Sequence, residues 1–279
     1  MSVLITSDST CDLSRELLEQ YRIRTLPLYI RKGGEVFRDG VDITPADVIA
    51  HVDAGGDLCA TAAINIGDYE DFFARVCAEA DSVIHFCIGS GFSSCFQNAR
   101  AAAGDYPNLT VVDSQNLSTG QGMQVLYAAM LAADGVGAEE ILTQVEQRRE
   151  KAECSFLLYR LDYMAKGGRC SAAAALGANL LHIRPCIEVT AGKMDMVKKY
   201  RGAYDKCIAS YVRDRVSDRE LDRSFAFVTH CNAEPAVVEA AQRALETYGQ
   251  FDRVFTTNAN CTVTCHCGPN CLGVLFFRA

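Results

Sequence analysis

The chain has 279 residues, 49% apolar and 22% charged, a composition that excludes intrinsic disorder and provides for one large or two modest domains. Its 35 acidic against 27 basic residues give a net charge of −8, which argues against a nucleic-acid or anionic-membrane surface. No apolar run approaches the roughly 18 residues of a membrane span, and residues 1–6 carry neither the basic start nor the apolar stretch of a leader. A cytoplasmic protein without membrane insertion is expected. The 14 cysteines are scattered, many inside apolar segments such as His85-Phe86-Cys87-Ile88 and Arg184-Pro185-Cys186-Ile187, where they read as small buried hydrophobes in a reducing compartment.

In chain order, residues 3–6 read as a strand and residues 14–18 as a helix. Residues 25–30 are extended, and Lys32-Gly33-Gly34-Glu35 reads as a hairpin turn into Val36-Phe37. Thr44-Pro45-Ala46-Asp47 starts a helix, with a hydroxyl at the N-cap, proline at N1 and an acid three residues on. Buried strands are expected at 82–88 and 109–112, with a helix over 94–103 between them. The stretch 123–133 is apolar nearly all round and predicts a deep helix. An amphipathic helix over 139–151 follows.

Beyond it, residues 154–159 read as a strand, 166–169 as a loop and 171–181 as a helix of small residues. The turn Thr190-Ala191-Gly192-Lys193 joins an antiparallel hairpin. Helices at 204–216 and 235–248 and strands at 225–229, 254–257, 262–264 and 272–276 close the chain. The alternation of strands and helices predicts an α/β fold of two lobes meeting near residues 150–165.

Ligands of α/β sheets bind beyond the carboxyl ends of strands, which gives priority to four loops. They are Thr6-Ser7-Asp8-Ser9-Thr10, Ala60-Thr61-Ala62-Ala63, Gly89-Ser90-Gly91-Phe92-Ser93-Ser94 and His266-Cys267-Gly268-Pro269. The third leaves a strand and enters a helix, so free N–H groups and Ser93 can meet a carboxylate or phosphate. Its bland reading is that Ser93 or Ser94 is an N-cap. It fails as a nucleophile elbow because position 95 is Cys, and as a dinucleotide fingerprint because position 94 is Ser. His266, between two predicted strands, can bind an anion, act as a base, ligate a metal or be structural. The spacing of Cys261, Cys265, Cys267 and Cys271 invites a zinc reading but lacks the usual two separated pairs. Capping and turn chemistry accounts for Asp8-Ser9 and Asp113-Ser114.

Together these motifs resemble those of the DegV family of bacterial fatty-acid-binding proteins, nearly end to end. The matching stretches are residues 5–13, Ser90-Gly91-Phe92-Ser93-Ser94-Cys95-Phe96-Gln97, Val112-Asp113-Ser114, residues 161–169, Lys199-Tyr200-Arg201-Gly202 and His266-Cys267-Gly268-Pro269. The resemblance implies an N-terminal lobe (1–155) with a mostly parallel sheet and crossover helices, and a C-terminal α/β lobe (156–279). It also implies a long-chain fatty acid in a tunnel between the lobes, with no cofactor or metal. The carboxylate-binding positions of the family correspond to Thr61, Ser93 and His266, with Ser94 and Gly268 nearby. Arg169 corresponds to a residue implicated in docking an ATP-dependent fatty acid kinase, which makes the chain a substrate carrier and not an enzyme. The sequence departs from the family pattern at Ala62-Ala63-Ile64 (for Ser-x-Pro), at Ser94-Cys95 (for Gly-Thr) and at Asn270 (for Gly). Two other readings compete: an acyl hydrolase using Ser93 or Cys267 with His266, and a metal-binding regulator using the C-terminal cysteines.

Overall fold

The computed structural model describes residues 2–170, 183–217 and 219–279. The helix expected at 171–181 lies outside the described residues. In chain order the elements are β1 (Val3–Asp8), α1 (Arg15–Gln20), β2 (Arg24–Leu26), β3 (Tyr29–Lys32), β4 (Glu35–Arg38), α2 (Pro45–Asp53), β5 (Ala60–Ala62) and α3 (Ile66–Glu79). They continue with β6 (Ser82–Cys87), α4 (Cys95–Ala102), β7 (Leu109–Asp113), α5 (Thr119–Ala133), α6 (Ala138–Arg149), β8 (Ala152–Leu157) and α7 (Asp162–Gly167). The last are β9 (Ile183–Thr190), β10 (Lys193–Arg201), α8 (Tyr204–Val216), β11 (Leu221–His230), α9 (Pro235–Tyr248), β12 (Val254–Asn258), α10 (Cys261–Cys267) and β13 (Leu272–Arg278).

Three sheets result. The first, in order β2-β1-β6-β7, is parallel throughout, with α3, α4, α5 and α6 packed against β6. The second, β10-β9-β8-β13-β11-β12, is antiparallel except for β11–β12. The α/β architecture expected from the alternating pattern is therefore present. A third, small sheet, β4-β3-β5, was not expected as a separate unit. Its β3–β4 turn uses Gly33 and Gly34 at positive φ, as the Gly-Gly pair requires. At α2 the side chain of Thr44 accepts from the Asp47 N–H and Asp47 accepts from the Thr44 N–H, closing the expected capping box.

Strand periodicity explains how the lobes join. Side chains alternate across a sheet. In β13, Leu272, Val274 and Phe276 face a core shared with Ile208 and Tyr211 of α8 and Leu245 of α9. Their neighbours Leu275 and Phe277, with Phe225 and Phe227 of β11, enter the core of the first lobe. Helix α5 lies between the sheets, in contact with β1 and β6 on one side and β8 and β13 on the other. A helix covered on two sides is apolar nearly all round, as residues 123–133 are.

Two local expectations are corrected. Residues 262–264 are not a strand: they lie in α10, so His266 occupies the last turn of a helix, not a loop between strands. The β-branched run Thr262-Val263-Thr264 favours a strand by propensity. Tertiary ties decide otherwise. The Asp12 carboxylate accepts from the Asn260 N–H (2.9 Å), and Asp39 accepts from the Cys261 N–H (2.8 Å) and the Thr262 hydroxyl (2.7 Å). The segment expected as a loop at 166–169 begins inside α7, which ends at Gly168 in the left-handed conformation (φ 67°).

Asp8, at the end of β1, also serves the architecture. Its buried carboxylate accepts from the Ile88 N–H (2.7 Å), the Thr10 N–H (3.2 Å) and Gln121 Nε2 (2.9 Å), which fixes the chain leaving β6. Burial raises its pKa to about 6 against the opposing pull of these hydrogen bonds. Asp8→Asn sets an amide N–H₂ against donors, so a loss of about 2 kcal/mol is expected in urea unfolding at pH 7. Because the folded pKa is raised, the stability the carboxyl contributes is full below about 3.8 and lost as pH rises through about 6. The difference between wild type and variant should therefore be larger at pH 4.5 than at pH 7. A difference that grows toward pH 7 would contradict this.

Candidate ligand-binding site

A cavity of about 160 Å³ is bounded by β5, the loop after β6, the segment before α5, α7, β10 and α10. Ile88, Phe92, Leu117, Met164, Met194 and Val263 supply apolar wall, and Thr61, Ser93, Ser94, Arg169, Thr262 and His266 supply polar groups. Five of the six residues singled out from sequence thus meet at one cavity. The sixth, Gly268, does not line it. At φ 71° it carries the chain out of α10 against the Tyr163 ring, where a Cβ would sit 2.7 Å from the ring.

Each polar group is held by the fold. Thr61 lies in β5 and pairs with Ile30 of β3. The loop bearing Ser93 is fastened by Asp113, which accepts from the Ser90 N–H (3.1 Å) and the Ser90 hydroxyl (2.5 Å). It is also fastened by the Gly89 N–H bond to the Asn116 carbonyl (2.7 Å). Ser94 stands at the N-cap of α4 without a side-chain cap bond. The Ser93 hydroxyl accepts from the Cys95 N–H (3.3 Å) and donates only to the Cys95 sulfur (3.2 Å), a weak acceptor that a ligand oxygen would outcompete.

His266 is half-buried, with Nε2 3.0 Å from Thr61 Oγ1. Its Nδ1 is buried without a partner among the described residues and lies against Gly167, where any Cβ would come within 2.5 Å of it. The proton is assigned to Nε2, which leaves a lone pair unmet at Nδ1 instead of a buried N–H. His266 then donates to Thr61, whose own hydroxyl hydrogen is free for a ligand. Burial, with the Arg169 charge as a second cause, lowers the His266 pKa to about 4. Histidine NMR should therefore show a neutral ring at pH 6. A midpoint near 6.5 would mean the ring is solvated in a way the fold does not allow.

Arg169 is exposed at the rim, with Nη1 donating to the Gly167 carbonyl (2.9 Å). Two hydroxyls and a neutral imidazole facing apolar walls suit an anionic head on an apolar body. Among the described residues Ser93 and His266 do not bond each other: Nε2 of His266 meets Thr61, and the Ser93 hydroxyl meets the Cys95 sulfur. The four spaced cysteines diverge. Cys261 and Cys265 pack with Ile30 and Val48 against the small sheet and α2, whereas Cys267 and Cys271 line a second cavity. Among the described residues no group of three or more His, Cys, Asp or Glu is placed to hold a metal ion, and no helix is long and apolar enough to cross a membrane.

Sequence reasoning missed Met164 and Met194, and it missed Asp12 and Asp39, which anchor the helix carrying His266. The acids lie far from that helix in sequence, and no local pattern links them.

Fold and cavity together define a two-lobed α/β protein with a cavity that is apolar apart from a few hydroxyl, imidazole and guanidinium groups. A family model described as "Uncharacterised protein, DegV family" matches residues 2–279, and the chain belongs to the DegV family. It is 31% identical to a DegV domain-containing protein of Deinococcus radiodurans over 277 residues, 98% of each chain. It is similar, at 27% identity and a TM-score of 0.90, to a DegV family protein of Thermus thermophilus described for its fatty acid binding, with all of both chains covered. DegV of Bacillus subtilis, described as a fatty acid binding protein, shares the fold at 24% identity and a TM-score of 0.85, again with all of both chains covered.

Proposed function

We propose that this chain is a cytoplasmic carrier that binds a long-chain fatty acid in a tunnel between lobes 1–155 and 156–279, without a cofactor. In this reading it presents the carboxylate to an ATP-dependent kinase for acyl-phosphate formation. The observation that carries the reading is the meeting of Thr61, Ser93 and His266 at one apolar-walled cavity. The described fatty acid binding of the Thermus thermophilus relative supports it.

The energetics fit. Each methylene removed from water contributes about 0.8 kcal/mol, whereas a carboxylate cannot follow into an apolar slot without hydrogen-bond donors. The hydroxyls of Thr61 and Ser93 donate to it, with His266 Nε2–H ordering Thr61 from behind. Neutral donors hold the oxygens without the strong neutralisation of a buried arginine, so the carboxylate keeps its nucleophilicity toward a phosphoryl group. Arg169, at the rim, is free to meet the kinase.

Native mass spectrometry of protein purified without added lipid tests the reading. One fatty acid per chain is expected. Protein that emerges empty, and that takes up no palmitate in calorimetry, would overturn it.

A further inference from the structure

Three thiols with no part in holding a carboxylate meet at the second cavity. The ladder between β11 and β13 ends at the pair His230–Leu272. One position further on, the Cys231 N–H donates to the Cys271 carbonyl (2.9 Å) and the Asn270 N–H donates to the Cys231 carbonyl (2.8 Å). Two residues of one strand thus oppose one of the other. The first of them, Asn270, is left-handed (φ 59°), which makes this a G1 bulge with asparagine in the glycine position. The bulge sets Cys271 across from Cys231. Both side chains line the second cavity, of about 30 Å³, together with Cys267 from the end of α10.

Opposed residues of antiparallel strands have Cα atoms about 4.5–5.5 Å apart, inside the range of about 4.4–6.8 Å that a disulfide spans. All three cysteines are free thiols. The thiols of Cys267 and Cys271 reach the Cys231 sulfur and, with the Thr264 hydroxyl, hold its pKa well below the ordinary thiol value against the effect of burial. Cys231 is therefore the thiol of the three that gives up its proton first, and the thiolate is the nucleophile. The cavity has room for a molecule of about the size of water. It adjoins the first cavity, with which it shares Leu117, Val263 and Cys267, so a small polar oxidant has a way in.

We propose that Cys231 and Cys271 are an oxidation site, converted by a peroxide to a reversible disulfide, and that the oxidant reaches them through the first cavity when that cavity is empty. The Cys231 thiolate attacks one peroxide oxygen and the O–O bond breaks. This leaves a sulfenic acid on Cys231 and a hydroxide, which takes up the proton Cys231 had released. The Cys271 sulfur then attacks the Cys231 sulfur and expels hydroxide, which leaves as water with the Cys271 proton. Two thiols are oxidised by two electrons, and one peroxide becomes two waters. A dithiol reductant reverses the step by exchange. In a reducing compartment such a bridge is transient and registers oxidant. The thiol chemistry stands apart from the fatty-acid reading, and only the closing of the route by ligand rests on it.

Mass spectrometry tests this on the full chain, freed of ligand, treated with hydrogen peroxide, alkylated and digested without reduction. A cross-linked peptide joining Cys231 to Cys271, and removed by dithiothreitol, is expected. It should form at least about tenfold faster than Cys186 is oxidised, a thiol whose pKa burial raises to about 12. Palmitate at about ten times its Kd should slow bridging about tenfold, because about a tenth of the sites stay open. Cys231→Ser should form no bridge at Cys271, and Cys267→Ser should keep the bridge. Oxidation to sulfinic or sulfonic acids without a cross-link, a bridge that joins other cysteines first, or an unchanged rate with palmitate bound would overturn the proposal. If Cys231→Ser does not fold, the wild-type peptide map decides. A chain that takes up no palmitate would overturn the fatty-acid reading, and the ligand-free map would still decide for or against the bridge.

Discussion

His266→Ala is expected to weaken palmitate binding by about 10- to 100-fold, the range set by a hydrogen bond to a charged group. The imidazole orders Thr61 through the 3.0 Å contact between Nε2 and Oγ1, so its removal costs the carboxylate a directed hydroxyl. The loss should be the same for octanoate and palmitate, because the imidazole acts on the head and not on the tail. Ser93→Ala should lose about tenfold by the same reasoning. His266→Gln, which keeps a donor at similar reach, should recover part of the loss. The pH profile adds an independent check. With its free pKa lowered to about 4, His266 is neutral in the empty site, and a carboxylate bound beside it draws that pKa upward. Affinity should therefore be flat from pH 6.5 to 8 and strengthen below the raised pKa as the ring takes a proton, until the ligand itself protonates. A change of less than threefold in His266→Ala would remove the imidazole from the site.

Arg169→Ala should separate carrying from presenting. In the free protein the guanidinium is exposed, where screened charge contributes about 0–1 kcal/mol, so the variant should lose no more than a few-fold in fatty-acid affinity. In a docked complex the same group is desolvated, and charge pairs there are worth several times more. Acyl-phosphate formation with a partner kinase should accordingly fall about 100-fold, a much larger loss than that of binding. Steady-state phosphorylation at saturating fatty acid measures one effect and calorimetry the other. Loss of lipid binding as severe as loss of phosphorylation would mean that Arg169 belongs to the head site and would end the division of roles.

The sequence was most legible where local chemistry decides structure. The capping box at Thr44 and Asp47, the glycine turn at Gly33-Gly34 and the two-sided apolar helix of residues 123–133 each carry their own signal and are all present. It was least legible where distant residues decide. The run Thr262-Val263-Thr264 favours a strand taken alone, and only Asp12 and Asp39, more than 200 positions away, hold it as a helix. The cavity has the same character. Thr61 and His266 are 205 positions apart yet in hydrogen-bond contact, and no periodicity in either segment announces the other. Ordered motifs along the chain bridged that distance for the polar groups. Apolar wall residues such as Leu117 and Met194 carry no such motif, because packing accepts any hydrophobe of suitable size.

The central claim is that an acyl chain lies in the apolar cavity with its carboxylate at Thr61, Ser93 and His266. A crystal structure of the chain with palmitate tests it most directly. The account predicts carboxylate oxygens within hydrogen-bond distance of the Thr61 and Ser93 hydroxyls, beside His266, with the tail running away past Leu117. A carboxylate held elsewhere, or a cavity that stays closed to the lipid at saturating concentration, would contradict it.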